Sequence, residues 1–302
     1  TVFEGDRDRP PPSDLEEFPG FVDRQASSGG TPSYRRPCCV GDIKVKDMGP
    51  VGEDINNMMD AMRRHGPTEG FMNAASPGVI ALFQPNKHYA TQDAYLEALA
   101  DAMAAEYKAI VDAGLVLQLD SPDLGLGRHM LFKDKSDEEY QAQASLHVDA
   151  LNHALDGIPI DRVRLQVCWG NYEWPHHHDA PIEMVLPIAL RANVGALLFE
   201  SSNPRHAHEW EVFANATLPD DLILVPGVID STTNFVEHPK LVAERICRFA
   251  DIVGRERVIA GTDCGFSTFA GFGAVDEDIV FAKLGSMADG ARIASERLWG
   301  NS

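Results

Sequence analysis

A chain of 302 residues with 44% hydrophobic and 24% charged side chains has the make-up of a globular protein and the length for one large core. Its 46 acidic against 26 basic residues leave a net charge of −20, which repels phosphate backbones and anionic lipid, so neither nucleic acid nor a membrane is expected as a partner. Apolar runs such as Leu222-Ile223-Leu224-Val225 are strand-sized and too short to cross a bilayer. The opening Thr1-Val2-Phe3-Glu4-Gly5-Asp6 lacks the basic-then-apolar pattern of a secretory signal, which points to the cytoplasm. Five cysteines at irregular spacing indicate reduced thiols, not a disulfide framework.

Residues 1–36 hold Pro10-Pro11-Pro12 and Ser27-Ser28-Gly29-Gly30 and are expected to be irregular and loop-rich, with a short helix near 15–25. Partial alternation over 38–46 predicts a small outer strand. A strand-then-helix rhythm follows, with strands predicted at 79–83, 115–119, 163–167, 196–199, 222–225 and 257–260. Apolar residues spaced three and four apart predict amphipathic helices over 92–113, 239–253 and 280–298. Alternating strands and helices imply parallel strands, in a barrel or in an open sheet. Asp120, Cys168, Glu200, Asp230 and Cys264 each fall just past a different predicted strand. Reactive groups shared among several strand ends favour a (β/α)₈ TIM-type barrel, here one domain over 1–302, because an open sheet gathers its site at one switch point.

Two strand-end thiols, Cys168 and Cys264, with the carboxylate of Glu200 could make three corners of a tetrahedral zinc site whose fourth position is open for catalysis. No CxxC or HxxxH pairing marks the site, and isolated cysteines are usually small buried hydrophobes. Asp120 is a candidate for substrate binding or catalysis, although a strand-end aspartate before Pro122 also suits a helix cap. Asp230 is a further catalytic candidate. Asn171, Arg205 and His238 are candidate substrate contacts, Arg205 being suited to a carboxylate or phosphate, with surface ion pairs as the plain alternative. The run His176-His177-His178 is more often solvated or capping than ligating, and His147 and His153 are read as helix residues without a catalytic role.

The ordered motifs Asn203-Pro204-Arg205-His206-Ala207-His208-Glu209-Trp210, Val225-Pro226-Gly227-Val228-Ile229-Asp230, Val236-Glu237-His238-Pro239 and Gly261-Thr262-Asp263-Cys264-Gly265 resemble the cobalamin-independent methionine synthase superfamily. The likeness is to its methionine-synthase-II-like group, related to the epoxyalkane:coenzyme M transferases, and it runs from about Thr1 to Trp299. It implies a barrel fold and zinc-dependent alkyl or methyl transfer to a small-molecule thiol, with the metal-bound thiolate as nucleophile and an alkyl donor as the second substrate. It further implies Cys168, Glu200 and Cys264 as metal ligands. The family's His-x-Cys falls on Gln166-Val167-Cys168, so a neutral amide stands where an imidazole is expected, leaving Gln166 a weak fourth ligand or a supporting donor. Gln118-Leu119-Asp120 resembles the family's Gln-x-Asp strand end, whose aspartate holds the amino group of an amino-acid thiol. Ser121 replaces a glutamate of the methionine synthases, so homocysteine specificity does not follow. The family's first two barrel strands have no counterpart in the sequence, which raises a partner chain supplying them, or a homo-oligomer. The departure at Gln166 motivates a second reading as a metal-free binding or regulatory protein. A third is a lyase using Asp120 and Asp230.

Overall fold

The computed structural model describes residues 3–8, 13–27, 35–267 and 275–300. In chain order the elements are β1 (Phe3–Asp8), α1 (Ser13–Glu16), α2 (Pro19–Ser27), β2 (Arg35–Cys39), α3 (Gly49–His65), β3 (Phe71–Ala75), α4 (Pro77–Phe83), α5 (Gln92–Asp112) and β4 (Val116–Ser121). They continue with α6 (Gly127–Met130), α7 (Asp137–Ala154), β5 (Val163–Val167), α8 (Ile182–Ala189), β6 (Ala196–Phe199), α9 (Trp210–Asn215), β7 (Ile223–Ile229), α10 (Pro239–Val253), β8 (Gly261–Thr262) and α11 (Glu277–Trp299). Strands β3 to β8 form one parallel six-stranded sheet in sequential order, a half-barrel, and β1 pairs with β2 in a separate antiparallel ribbon. No helix among the described residues is long and apolar enough to cross a membrane.

The first predicted barrel strand, 79–83, is instead the helix α4. Ser76 caps it, its hydroxyl accepting from the Val79 N–H, and Pro77 opens the first turn, where a missing N–H costs nothing. A short apolar run such as Val79-Ile80-Ala81-Leu82-Phe83 cannot be told from a strand by periodicity alone. The strand lies earlier, at Phe71–Ala75, pairing in register with β4. The last strand is also displaced: 257–260 contributes a single bridge, Val258 to Leu224, and β8 is the following Gly261–Thr262. The outer strand predicted at 38–46 overlaps β2 (Arg35–Cys39) only at Cys38 and Cys39; in the segment before it the helix expected near 15–25 is present as α1 and α2, while β1 was not expected. Strands β5 and β6 fall where the sequence put them.

Strand parity sets the two faces of the sheet. Leu117, Leu119, Val163, Leu165, Val167, Leu197, Phe199 and Leu224 join the main core beneath the helices. Burying such a side chain contributes about 1.5–3 kcal/mol. The opposite, inner face carries a small cluster of Ala196, Leu198 and Val225 and, by alternation, Gln118, Asp120 and Gln166. Register places Asp120 beside Gln166, Gln166 beside Leu198 and Leu198 beside Val225. Cys168 and Glu200 each lie two residues further along their strands, one layer higher on the same face.

Candidate metal centre at the strand ends

Above that inner row the sulfurs of Cys168 and Cys264, 96 positions apart in sequence, stand 3.0 Å from each other. Cys168 is buried and takes the Gly170 N–H on its sulfur, and its hydrogen bond with Cys264, together with burial, pushes its thiol well above the usual range. Glu200 is buried; its Oε1 accepts from the Trp169 N–H at 2.8 Å and its Oε2 from the Asn203 amide at 2.8 Å. Burial pushes its carboxyl up to about 8, against the lowering pull of His206. Gln166 is buried directly below Cys168, and the charge on Asp120 also raises the Cys168 thiol. Asp120 itself is raised to about 6 by burial and then by neighbouring Asp123.

The donor chemistry fits zinc: two thiols and a carboxylate from three strand ends, with an amide beneath. Around a tetrahedral ion with bonds of about 2.3 Å the sulfurs would stand roughly 3.8 Å apart, so the pair needs to open by less than about 1 Å. Glu200 is not yet gathered with them: among the described residues, no group of three metal-donor atoms lying within 4.8 Å of one another contains the cysteines. The carboxylate would have to turn from Trp169 or Asn203 to join.

Several residues that sequence reasoning passed over build the frame. Asp263, adjacent to Cys264, is buried and accepts from the N–H groups of Ser201, Ser202 and Asn203 and from the Asn203 amide, at 2.8 to 3.1 Å. It ties the end of β8 to the loop after β6, and burial pushes it up to about 6 despite those donors. Gly227 permits the close approach, since a Cβ there would overlap Asp263. Behind Trp169 lies a polar chain in which His206 bonds Glu209 at 2.7 Å and Asp179 at 3.0 Å, while His176 bonds Asp179 at 2.8 Å. Burial alone would lower His206, but its bonds to Asp179 and Glu209 win and raise it to about 10. The Trp169 ring packs on His206 with centroids 4.4 Å apart. The sequence signal for this polar chain lies in the Asn203–Trp210 motif, in His206 and Glu209 beside Arg205.

The other candidates are scattered. Asn171 bridges to the Gly265 carbonyl at 2.9 Å, beside Cys264. Asp230 Oδ1 accepts from the N–H and hydroxyl of Thr232, a local turn. His238 is exposed and caps α10 through the Lys240 N–H, and Arg205 is exposed. His177 and His178 turn to Glu17 and Asp14, not to the cysteines. His147 is buried against Asp123, and His153 is exposed beside Asp101.

A parallel β/α half-barrel with two thiols meeting beyond its strand ends, and the buried carboxylate of Glu200 at a neighbouring strand end, defines the class. The family model described as cobalamin-independent synthase, catalytic domain, matches residues 21–292, and the chain belongs to that family. It is 28% identical over 176 residues to 2-hydroxypropyl-CoM lyase of Xanthobacter autotrophicus, covering 50% of this chain and 45% of that protein. It is 25% identical over 273 residues to the methionine synthase of Saccharolobus solfataricus, covering 89% of this chain and 70% of that one. The chain thus spans under half of the first relative and about two thirds of the second. The B12-independent methionine synthase from Shewanella, solved in complex with selenomethionine, shares its fold with a TM-score of 0.68 at 18% identity, over 89% of this chain and 73% of that one.

Proposed function

We propose that this chain supplies the catalytic barrel of a zinc-dependent enzyme that transfers an alkyl or methyl group to a small-molecule thiol. The observation that carries the reading is the meeting of Cys168 and Cys264 on the inner face of the sheet beside Glu200. Cys168, Cys264 and Glu200 would hold zinc, with Gln166 as a weak fourth donor. Bound there, zinc lowers the pKa of a thiol substrate so that it is available as thiolate near neutral pH. Asp120, one layer below Cys168, is placed to hold a cationic group of the thiol substrate, and its raised pKa falls back once such a group pairs with it. Asn171, spanning from the loop after β5 to Gly265, fixes the rim over Cys264. In this reading 1–302 is one domain, and the six parallel strands are part of an eight-stranded barrel with two further strands closing the seam between β3 and β8.

The test is elemental analysis of zinc-supplemented protein together with methyl transfer to a panel of small thiols. The Cys168→Ser, Cys264→Ser double variant is expected to lose one equivalent of zinc relative to the parent, and the transfer with it. Equal zinc content in both, with no transfer by the parent, would favour the binding-protein reading that Gln166 motivates.

A further inference from the structure

On the far side of Trp169 lies a second group of donors, contributed by segments distant in sequence. Asp14 comes from α1, His129 from α6 and Asp179 from the loop between β5 and α8; all three are buried, at 0%, 2% and 4% exposure. One donor atom from each lies within 4.8 Å of the others. Asp14 Oδ2, His129 Nδ1 and Asp179 Oδ1 are all buried without a hydrogen-bond partner among the described residues. A buried polar atom left unpaired costs about 1–3 kcal/mol, and three facing one another call for a common partner.

The geometry around the three atoms indicates what that partner is. The Tyr172 hydroxyl stands 3.1 Å from the Trp169 carbonyl and 3.2 Å from His129 Nε2, within hydrogen-bond reach of both. His129 Nδ1 lies 3.4 Å from Asp179 Oδ1 with no hydrogen bond between them. Asp14 Oδ2 faces the same ring, 3.8 Å from Nε2. Two of these unpaired atoms are carboxylate oxygens, and buried carboxylates are matched by an opposite charge or by a metal ion. The other oxygen of Asp179 shows the contrast, since it takes true hydrogen bonds from His176 and His206 at 2.8 and 3.0 Å. Nitrogen and oxygen ligands about 2.0–2.1 Å from a tetrahedral ion stand roughly 3.4 Å apart, the separation seen for His129 and Asp179. The two basic side chains that line the same cleft are engaged elsewhere: Arg128 with Asp137 and the Phe132 carbonyl, Lys133 with Glu16.

We propose that Asp14, His129 and Asp179 bind a divalent transition-metal ion, separate from the cysteine centre, which staples α1 to the loop that follows β5. A mixed imidazole and carboxylate set suits zinc, manganese or iron(II) in place of a thiophilic ion. Tyr172 on the far nitrogen of His129 fixes the ring, the support that metal-bound histidines ordinarily have.

Cobalt(II) titration of the whole chain, followed by absorbance, separates this site from the cysteine centre, because only thiolate ligation gives sulfur-to-cobalt charge-transfer bands. One equivalent is expected to bind without those bands, and to persist in the Cys168→Ser, Cys264→Ser variant. Asp14→Asn and His129→Gln, each near-isosteric, are expected to weaken that equivalent at least about tenfold while leaving any charge-transfer bands unchanged. The proposal is overturned if every bound equivalent shows sulfur bands, or if both substitutions leave the band-free equivalent as tight as before. Should either variant fold poorly, the parent alone decides by the presence or absence of the band-free equivalent. Failure of the cysteine centre would show separately, as missing sulfur bands.

Discussion

The cysteine centre and the Asp14 cluster stand on two sides of Trp169, whose N–H serves Glu200 and whose ring covers His206, and they are built in opposite ways. At the first, soft sulfur donors project from strand ends whose positions follow from sheet register, and Asp263 locks the neighbouring loop. At the second, hard oxygen and nitrogen donors come from a four-residue helix, another four-residue helix and a loop. A sheet can preform a site because each donor's height and face are set by strand parity. Loop-borne donors depend on one another, so there ligand and local fold are coupled.

The largest way to break this contrast is to unlock the sheet side. Asp263→Ala strands three backbone N–H groups in a buried setting, and leaving a buried donor without its acceptor costs about 1–3 kcal/mol. Urea unfolding should report a loss of that order, and a change below about 1 kcal/mol would mean that the loop after β6 holds itself.

A second substitution sharpens the sheet side. Gln166→His puts an imidazole one strand pair below Glu200 and two residues before Cys168, and zinc affinity in a chelator competition is expected to rise about tenfold or more. Unchanged affinity would show that residue 166 does not reach the ion.

Next is Asp120. Its folded pKa, about 6, lies above the ordinary 3.8, so protonation favours the fold. Stability tied to that proton is present below about pH 3.8 and is lost as pH rises through about 6. Asp120→Asn should therefore raise the melting temperature by a few degrees at pH 7 to 8 and have no effect near pH 3.5, at the expense of any binding of a cationic substrate group. A gain that is equal at both pH values would contradict the buried-carboxylate account. The smallest effect is expected at the exposed His153–Asp101 pair, where His153→Ala should change stability by less than about 0.5 kcal/mol.

How much of this was legible differs between the regions for the same physical reason. Strands β5 and β6 read directly because their runs are short, apolar and bounded, and Cys168 and Glu200 follow immediately. Strand β3 was hidden because Phe71-Met72-Asn73-Ala74-Ala75 carries no β-branched residue, while the more apolar run after Ser76-Pro77 is helical; that cap and proline were the available signal. Strand β8 is only two residues, one of them glycine, too short for any pattern. Cys264 was still found, because the chemistry follows the strand end whatever its length. Asp14, His129 and Asp179 could not be found, since no spacing relates a proline-rich segment, a short helix and a loop that only the fold brings together. The buried role of Asp263 was likewise invisible, its partners being backbone N–H groups of another strand's loop.

The most direct test of the central claim is zinc-edge X-ray absorption on Asp14→Asn protein loaded with no more than one equivalent of zinc, so that the weakened Asp14 site stays largely empty. The account predicts two sulfur ligands at about 2.3 Å with lighter nitrogen or oxygen neighbours completing the shell. A shell with no sulfur, or with one, would contradict the joining of Cys168 and Cys264 at a single ion.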